Sequence, residues 1–377
     1  MDKIKILYVN GGIMNRGGIE SYMMNYYRNI NKDNIQIDFI VHGFEKGAYD
    51  DEIISMGGKI YNIPIKSKDY IGNIKALRKI FLSGEYKIVH SHMDAMSTVV
   101  LKVAKECGIP IRIAHSHNTK HLTNNKLKLL LNEFARKRIK KYATNFFACS
   151  ELAGRWLFGD NAFDNGKVKI IKNAIDVDRF YFNTELREEL RDNLELRDKF
   201  VVGHVGRFDY QKNHVFLLNM FKDLVKRRKD VILLLIGDGH LKDSIINEIK
   251  ILGIEENVRL LGVCSNVNEI LNIFDVFILP SLFEGLPVVG IESQINGLTC
   301  LFSDKISKEV DITGKNKFLS IDKKYDNWVN ELLDIKGENL DRYIDEDLVI
   351  KSGYDIKKEV KNLENIYLKL INSTDKY

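Results

Sequence analysis

At 377 residues the chain is too long for one ordinary core, and with 45% hydrophobic and 29% charged side chains it has a normal globular balance, so two domains are expected. Its four cysteines (Cys107, Cys149, Cys264, Cys300) are scattered without CxxC or Cys/His spacing, which argues against a disulfide framework or zinc site and fits a reducing cytosol. The net charge of +5 hides an asymmetry: residues 1–180 carry 29 Lys and Arg against 18 Asp and Glu (+11), and the remainder 28 against 34 (−6), so only the first half is expected to face an anionic partner.

Met1 to Asn10 reads as a first strand rather than a signal peptide, because a glycine loop follows at once. Strand-like runs Ile4–Val9, Ile35–Val41, Lys59–Ile63, Ile88–His90, Ile111–His115 and Asn145–Cys149, with Val168–Ile171 as a short addition, alternate with helical stretches. This rhythm predicts βαβ units and a parallel sheet. Between Asp176 and Lys199 the chain turns polar and charged, the best candidate for a linker. A second series follows: Val201–Val205, Val231–Ile236, Val258–Leu261, Val276–Leu279 and Thr299–Phe302. The last stretch is helical, with Ile356, Val360, Leu363, Tyr367 and Leu370 forming one apolar stripe. The expected fold is α/β, two doubly wound Rossmann-like domains facing across a cleft, with ligands at the carboxyl ends of the strands. The domains are expected at 1–180, completed by a C-terminal helix at about 354–377, and at 181–353. No apolar run approaches the length of a membrane span, and no nucleic-acid partner is expected.

Several segments carry candidate chemistry. Gly17-Gly18 precedes a helix and would let backbone approach a phosphate, although a plain tight turn explains it equally; the loop is not GxGxxG, so no dinucleotide cofactor is indicated. His90-Ser-His92 and His115-Ser-His117 end adjacent strands, where substrate contact and a structural role stand level. Lys126–Tyr142 has a helical pattern with Leu127, Leu130, Leu131, Phe134 and Tyr142 on one arc and cations mostly opposite; it suits either an acidic membrane surface or a core-packed helix with a solvated outer face. Arg207 and Lys212 follow a strand and suit a diphosphate, or are simply exposed cations. Ile236-Gly-Asp-Gly239 reads as a turn that admits ligand. Finally, Pro280 to Glu292 predicts a strand end, a turn bearing Glu284, and a helix from near Pro287 with Glu292 in its second turn. Its free amides at Gly285, Leu286 and Val288 would form an anion site between two carboxylates, apt for a diphosphate with a sugar at each end. A punctuated turn with two surface glutamates is the plainer alternative.

Taken in order, Gly17-Gly18-Ile-Glu20, His117, Cys149-Ser150, Asn173-Ala-Ile-Asp176, Gly206-Arg207 with Lys212, Gly237-Asp-Gly239, and Glu284 with Glu292 resemble the family-4 retaining glycosyltransferases of GT-B fold. AHSHN, PSLFEGLPVV and GLTCLFSD look most like the capsular and exopolysaccharide enzymes. The resemblance implies catalytic roles for His117 and Glu284 at the transferred sugar. It implies that Arg207, Lys212, Gly17, Gly18 and the stretch Gly285, Leu286, Pro287 hold the donor diphosphate, and that Glu292 holds the ribose. His115 could take the place of His117. Glu292-Ser293 and Gly297-Leu-Thr299 depart from the family's usual pattern, which bears on donor identity. The expected function is retaining transfer of a hexose or N-acetylhexosamine from a nucleotide sugar to a glycan acceptor, lipid-diphosphate-linked, in cell-surface polysaccharide synthesis. No metal or cofactor is expected, and the location is cytoplasmic or peripheral on the inner membrane face. A nucleotide-sugar 2-epimerase, a cofactor-using phosphorylase of the same fold, and a non-catalytic nucleotide-sugar-binding subunit are the alternatives.

Overall fold

The computed structural model describes residues 3–121, 123, 125–322, 324–335 and 342–374, so the last three residues of the expected C-terminal helix lie outside it. Contacts divide the chain into two compact units, Met1–Ile175 with Asp355–Tyr377, and Asp176–Tyr354. Each is built on one parallel sheet. The first holds β1 (Ile4–Val9), β2 (Ile35–His42), β3 (Ile60–Ile63), β4 (Ile88–Ser91), β5 (Ile111–Ser116), β6 (Asn145–Ala148) and β7 (Val168–Ile170), in the order β3-β2-β1-β4-β5-β6-β7. The second holds β8 (Phe200–Val205), β9 (Val231–Ile236), β10 (Val258–Gly262), β11 (Val276–Leu279), β12 (Cys300–Ser303) and β13 (Lys317–Leu319), in the order β10-β9-β8-β11-β12-β13. Runs such as Val-Ile-Leu-Leu-Leu-Ile in β9 are buried throughout because crossover helices cover both faces. In each sheet the order reverses beside the first strand, between β1 and β4 and between β8 and β11. At such a switch point the loops diverge and leave a crevice at the strands' carboxyl ends.

Three sequence expectations change. β13 was not anticipated, because Lys317-Phe-Leu319 is a three-residue edge strand without an apolar run of its own. The polar stretch after Asp176 is no free linker: the helix Thr184–Asn193 sinks Arg187 and Arg191 into the second unit. Arg187 Nη1 donates to the carbonyls of Asn272 (2.7 Å) and Phe274 (2.8 Å), and both guanidinium groups pair with Asp275. Charge that looked solvated therefore closes the end of a short helical turn, where carbonyls lack partners. The C-terminal helix Ile356–Thr374 packs into the first core through Ile356, Val360, Leu363, Tyr367 and Ile371, with Leu370 only at its edge.

Candidate functional site

The second unit gathers its charged candidates at its switch point. After β8 the chain runs through Arg207 to Lys212, and after β11 through Pro280 to Pro287. The two loops are stitched together: Leu282 N–H donates to the Gln211 carbonyl (2.9 Å), and Asn213 Nδ2 to the Pro280 carbonyl (3.1 Å). Glu284 is buried between them, accepting from Lys212 Nζ at 2.7 Å and Gln211 Nε2 at 3.0 Å. With so little water around it the pair interacts strongly, and removing one partner would strand a charge. Arg207 is exposed and forms no ion pair among the described residues, so it is the available cation of the two.

The helix Val288–Ile295 begins one residue after Pro287, which is its N-cap and offers no capping side chain. Among the described residues no hydrogen bond is recorded for the amides of Gly285, Leu286 and Val288, so the helix start presents donors and the positive end of its dipole. Glu292 sits in the second turn, half-buried; burial pushes its carboxyl up to about 7, with Arg179 pulling the other way. Gly237 and Gly239 are also required by packing within the unit. A Cβ on Gly237, which has φ +139°, would lie 2.0 Å from the Gly206 carbonyl oxygen, and one on Gly239 would lie 2.4 Å from that of Phe208. These glycines admit the neighbouring loop's own backbone, which thereby holds Arg207 and Lys212 in place.

The first unit is different in kind. Gly17 caps the helix Gly18–Asn29 without a side-chain bond, at the carboxyl end of β1. His90 and His92 alternate off β4, and His115 and His117 off β5, so all four rings share one side of the sheet. They form two pairs, His90 Nε2 with His115 Nδ1 and His92 Nδ1 with His117 Nε2, each at 3.0 Å. Of the two roles that the sequence leaves level, burial favours the structural one for His90 and His115, each 0% exposed, and for His92 at 1%, while His117 is 7% exposed. Burial drives every ring to the neutral form, His117 to about 3 and the others well below the ordinary histidine value. Between the two candidate sugar contacts, only His117 reaches any surface. His90, His92 and His115 also place one ligand atom each within 4.8 Å of one another, which makes them the candidate metal set among the described residues.

Sequence reasoning missed Asp94. It sits in the left-handed region at φ 46°, accepts from the His117 amide and from Asn118 Nδ2, both at 2.7 Å, and burial lifts its carboxyl to about 6. A non-glycine residue held there costs about 1–3 kcal/mol, which the surroundings must enforce. Its position directly after the His-Ser-His-Met run was the available signal. Beside it Met93, Lys120, His121, Asn132 and Trp156 line a hollow of about 160 Å³. The helix Lys126–Tyr142 packs inward through Ala135 and Ile139, not through its leucines. Leu127 and Leu130 are each 67% exposed, and Leu129, Leu131 and Phe134 are exposed with them, beside Lys126, Lys128, Lys137 and Arg138. The helix is thus core-packed through Ala135 and Ile139, and its outer face carries the cations together with Leu127, Leu130, Leu131 and Phe134. No helix among the described residues is long and apolar enough to cross a membrane.

Comparison with known proteins matches these two units to two families. Residues 16–179 match Glycosyltransferase Family 4, and residues 186–346 match Glycosyl transferases group 1. EpsF of Bacillus subtilis (strain 168), named provisionally as a glycosyltransferase, is 36% identical over 371 residues, covering 96% of each chain. The UDP-Gal:alpha-D-GlcNAc-diphosphoundecaprenol alpha-1,3-galactosyltransferase of Escherichia coli is 26% identical, covering 78% of this chain and 79% of its own. Among solved structures, Anabaena Alr3699/HepE in complex with UDP superposes with a TM-score of 0.77 at 17% identity, covering 98% of this chain and 100% of that one. With EpsF aligned almost end to end and the HepE fold shared across both sheets, the chain belongs to the family-4 glycosyltransferases of GT-B fold.

Proposed function

We propose that the chain moves a hexose or N-acetylhexosamine, with retention of configuration, from a nucleotide sugar to a lipid-diphosphate-linked glycan in capsular or exopolysaccharide assembly. The observation that carries this reading is Glu284, held between Lys212 and Gln211 immediately ahead of the open amides of the helix at Val288. In this reading Arg207, Lys212 and the Gly285–Pro287 backbone, with Gly17 and Gly18, hold the donor diphosphate, and Glu292 accepts from the ribose hydroxyls. Glu284 accepts from hydroxyls of the transferred sugar, against which His117 lies. The acceptor hydroxyl attacks the anomeric carbon on the face the diphosphate leaves, the anomeric C–O bond breaks, and a donor phosphate oxygen takes the proton. Negative charge then grows on the departing diphosphate, where fixed amides and cations stabilise it most. That role is assigned to side chains and backbone, without a metal ion or cofactor. The UDP of the HepE complexes and the diphosphoundecaprenol in the relative's name support a uridine donor and a lipid diphosphate acceptor.

The exposed leucine face of Lys126–Tyr142 supports a peripheral position on the inner face of the membrane. Each large apolar side chain fully buried there would contribute about 1.5–3 kcal/mol, and the adjacent cations favour anionic headgroups. Co-sedimentation with phosphatidylglycerol vesicles should be lost on Leu127→Glu with Leu130→Glu; binding that survives both removes this surface from the account. The donor reading is tested by thermal shift against nucleoside diphosphates and their sugars. A ligand at a hundred times its Kd adds about 2.7 kcal/mol, so one base should stand out. A panel without any shift would sink the reading.

A further inference from the structure

Resting on the reading of a glycan acceptor, we propose that the hollow beside Asp94 is a saccharide subsite for the end of the acceptor that receives the new sugar. Asp94 and Asn132 bond its hydroxyls, and Trp156 forms its apolar wall. The hollow encloses about 160 Å³, well under the roughly 300 Å³ at which pockets for drug-sized ligands begin, so it suits a single sugar ring. It lies at the carboxyl ends of β4 and β5, where ligands of parallel sheets bind. The turn at Asp94, the segment at Lys120 and His121, and two helices, Lys126–Tyr142 and Glu151–Phe158, meet there. All of them belong to the first unit.

Asp94 gives the hollow its chemistry. Its Oδ1 accepts from the His117 amide and its Oδ2 from Asn118 Nδ2, each at 2.7 Å, which fixes the carboxylate in one orientation. A carboxylate has about four acceptor positions, so two remain for a ligand. Burial lifts the group to about 6, yet no cation forms an ion pair with it among the described residues. Hydroxyls complete such a half-buried acceptor, whereas a phosphate would meet like charge. Lys120 is exposed, so its charge is screened, and His121 Nε2 lies 3.2 Å from Glu133. The hollow is therefore assigned to the neutral sugar and not to the diphosphate. Asn132 is half-buried and its side chain bonds nothing among the described residues, so its amide can both donate and accept. The aromatic wall is held in place. His121 stands edge to face with Trp156, the ring centroids 5.1 Å apart. Arg136 binds the same Glu133 carboxylate through Nε and Nη2, both at 2.7 Å, and its Nη1 donates to the Trp156 carbonyl. A ring already fixed loses little freedom on binding, and the C–H face of a sugar can pack on its carbons. The bond from the His117 amide to Asp94 places this sugar beside the residue assigned to the transferred one.

Tryptophan fluorescence tests this without turnover. The chain has two tryptophans, and Trp328 is 0% exposed in the second core, so a response to free sugar reports on Trp156. Titrating the whole protein with methyl glycosides of hexoses and N-acetylhexosamines should give a saturable change with at least one of them. Asp94→Asn keeps a residue that tolerates the left-handed backbone and should weaken that binding about tenfold, the worth of one hydrogen bond to a charged group. Asn132→Ala removes a side chain with no bond to lose from a helix that favours alanine, so it should fold as the wild type does and still weaken binding severalfold. In turnover both variants should raise KM for the acceptor and leave KM for the nucleotide sugar unchanged. No saturable change with any glycoside overturns the subsite, as does wild-type affinity in Asn132→Ala. If nucleoside diphosphate still shifts the melting temperature of that protein, the transfer reading stands without the subsite. Saccharide binding without any nucleotide response sinks the transfer reading instead.

Discussion

The two units place their candidate residues at equivalent points, the loops after the central strands of a parallel sheet, yet they use opposite chemistry. In the second unit the residues are charged: Lys212 against Glu284, Arg207 exposed, and Glu292 at a helix that opens with free amides. In the first they are neutral: four imidazoles and three tyrosine hydroxyls sealed in the core, with one ring edge at the surface. Charge belongs where a diphosphate must be held and its growing charge neutralised. In the proposed reaction a neutral His117 ring would meet the sugar without competing for the phosphate. Neutrality here is imposed by burial, so it depends on the core and not on pH near neutrality.

The largest expected effect comes from breaking the charged side. Lys212→Ala strands the Glu284 carboxylate and should cost about 3 kcal/mol in urea unfolding while weakening nucleoside diphosphate binding. Lys212→Met with Glu284→Gln should recover most of that stability without recovering binding. Stability unchanged in the single variant would mean that the pair is not buried in solution.

The neutral side breaks in acid. Seven histidines have lowered pKa values in the folded chain, five in the first unit (His42, His90, His92, His115, His117) and two in the second (His204, His214). Below the unfolded value of about 6.5 the unfolded chain binds protons that the folded chain refuses, so stability falls as pH drops. Each ring contributes about 1.4 kcal/mol per pH unit until its folded value is reached. Asp94, held up to about 6, retains its proton when folded and offsets part of one ring's effect. Hydrogen exchange at pH 5, corrected for intrinsic rate, should therefore show the first sheet losing protection before the second. Equal loss in both would contradict the asymmetry.

A smaller effect follows from Glu292. Its carboxyl titrates at about 7 in the free protein, and ribose hydroxyls need an acceptor, so nucleotide affinity should rise through that pH. Calorimetry in the wild type should show proton release on binding, and Glu292→Gln should abolish it. Release that persists in the variant belongs to another group.

Most of the architecture was legible because many parallel strands form buried apolar runs, as β9 and β11 do, and twelve of the thirteen strands among the described residues lie where such a run alternates with a helical stretch or a shorter apolar segment continues the rhythm. β13 lacks that run, and Arg187 and Arg191 resemble surface charge because sequence does not show the carbonyls they meet. Lys212 and Glu284 were both visible, but their contact depends on two loops 72 residues apart. The histidine pairs left substrate contact and a structural role level because strand ends are where ligands bind; only side-chain packing shows that His90, His92 and His115 are enclosed. The leucines of Lys126–Tyr142 define one face by their spacing, yet spacing does not say which side the core occupies.

The most direct test of the account is turnover of a nucleotide sugar by Glu284→Gln, with nucleoside diphosphate affinity measured on the same sample. Loss of one charge-stabilising group at a reacting centre commonly lowers kcat by roughly 100-fold, and the account predicts a fall of about that size with diphosphate affinity retained. Turnover equal to the wild type would remove Glu284 from the transferred sugar and contradict the division of roles between the two units.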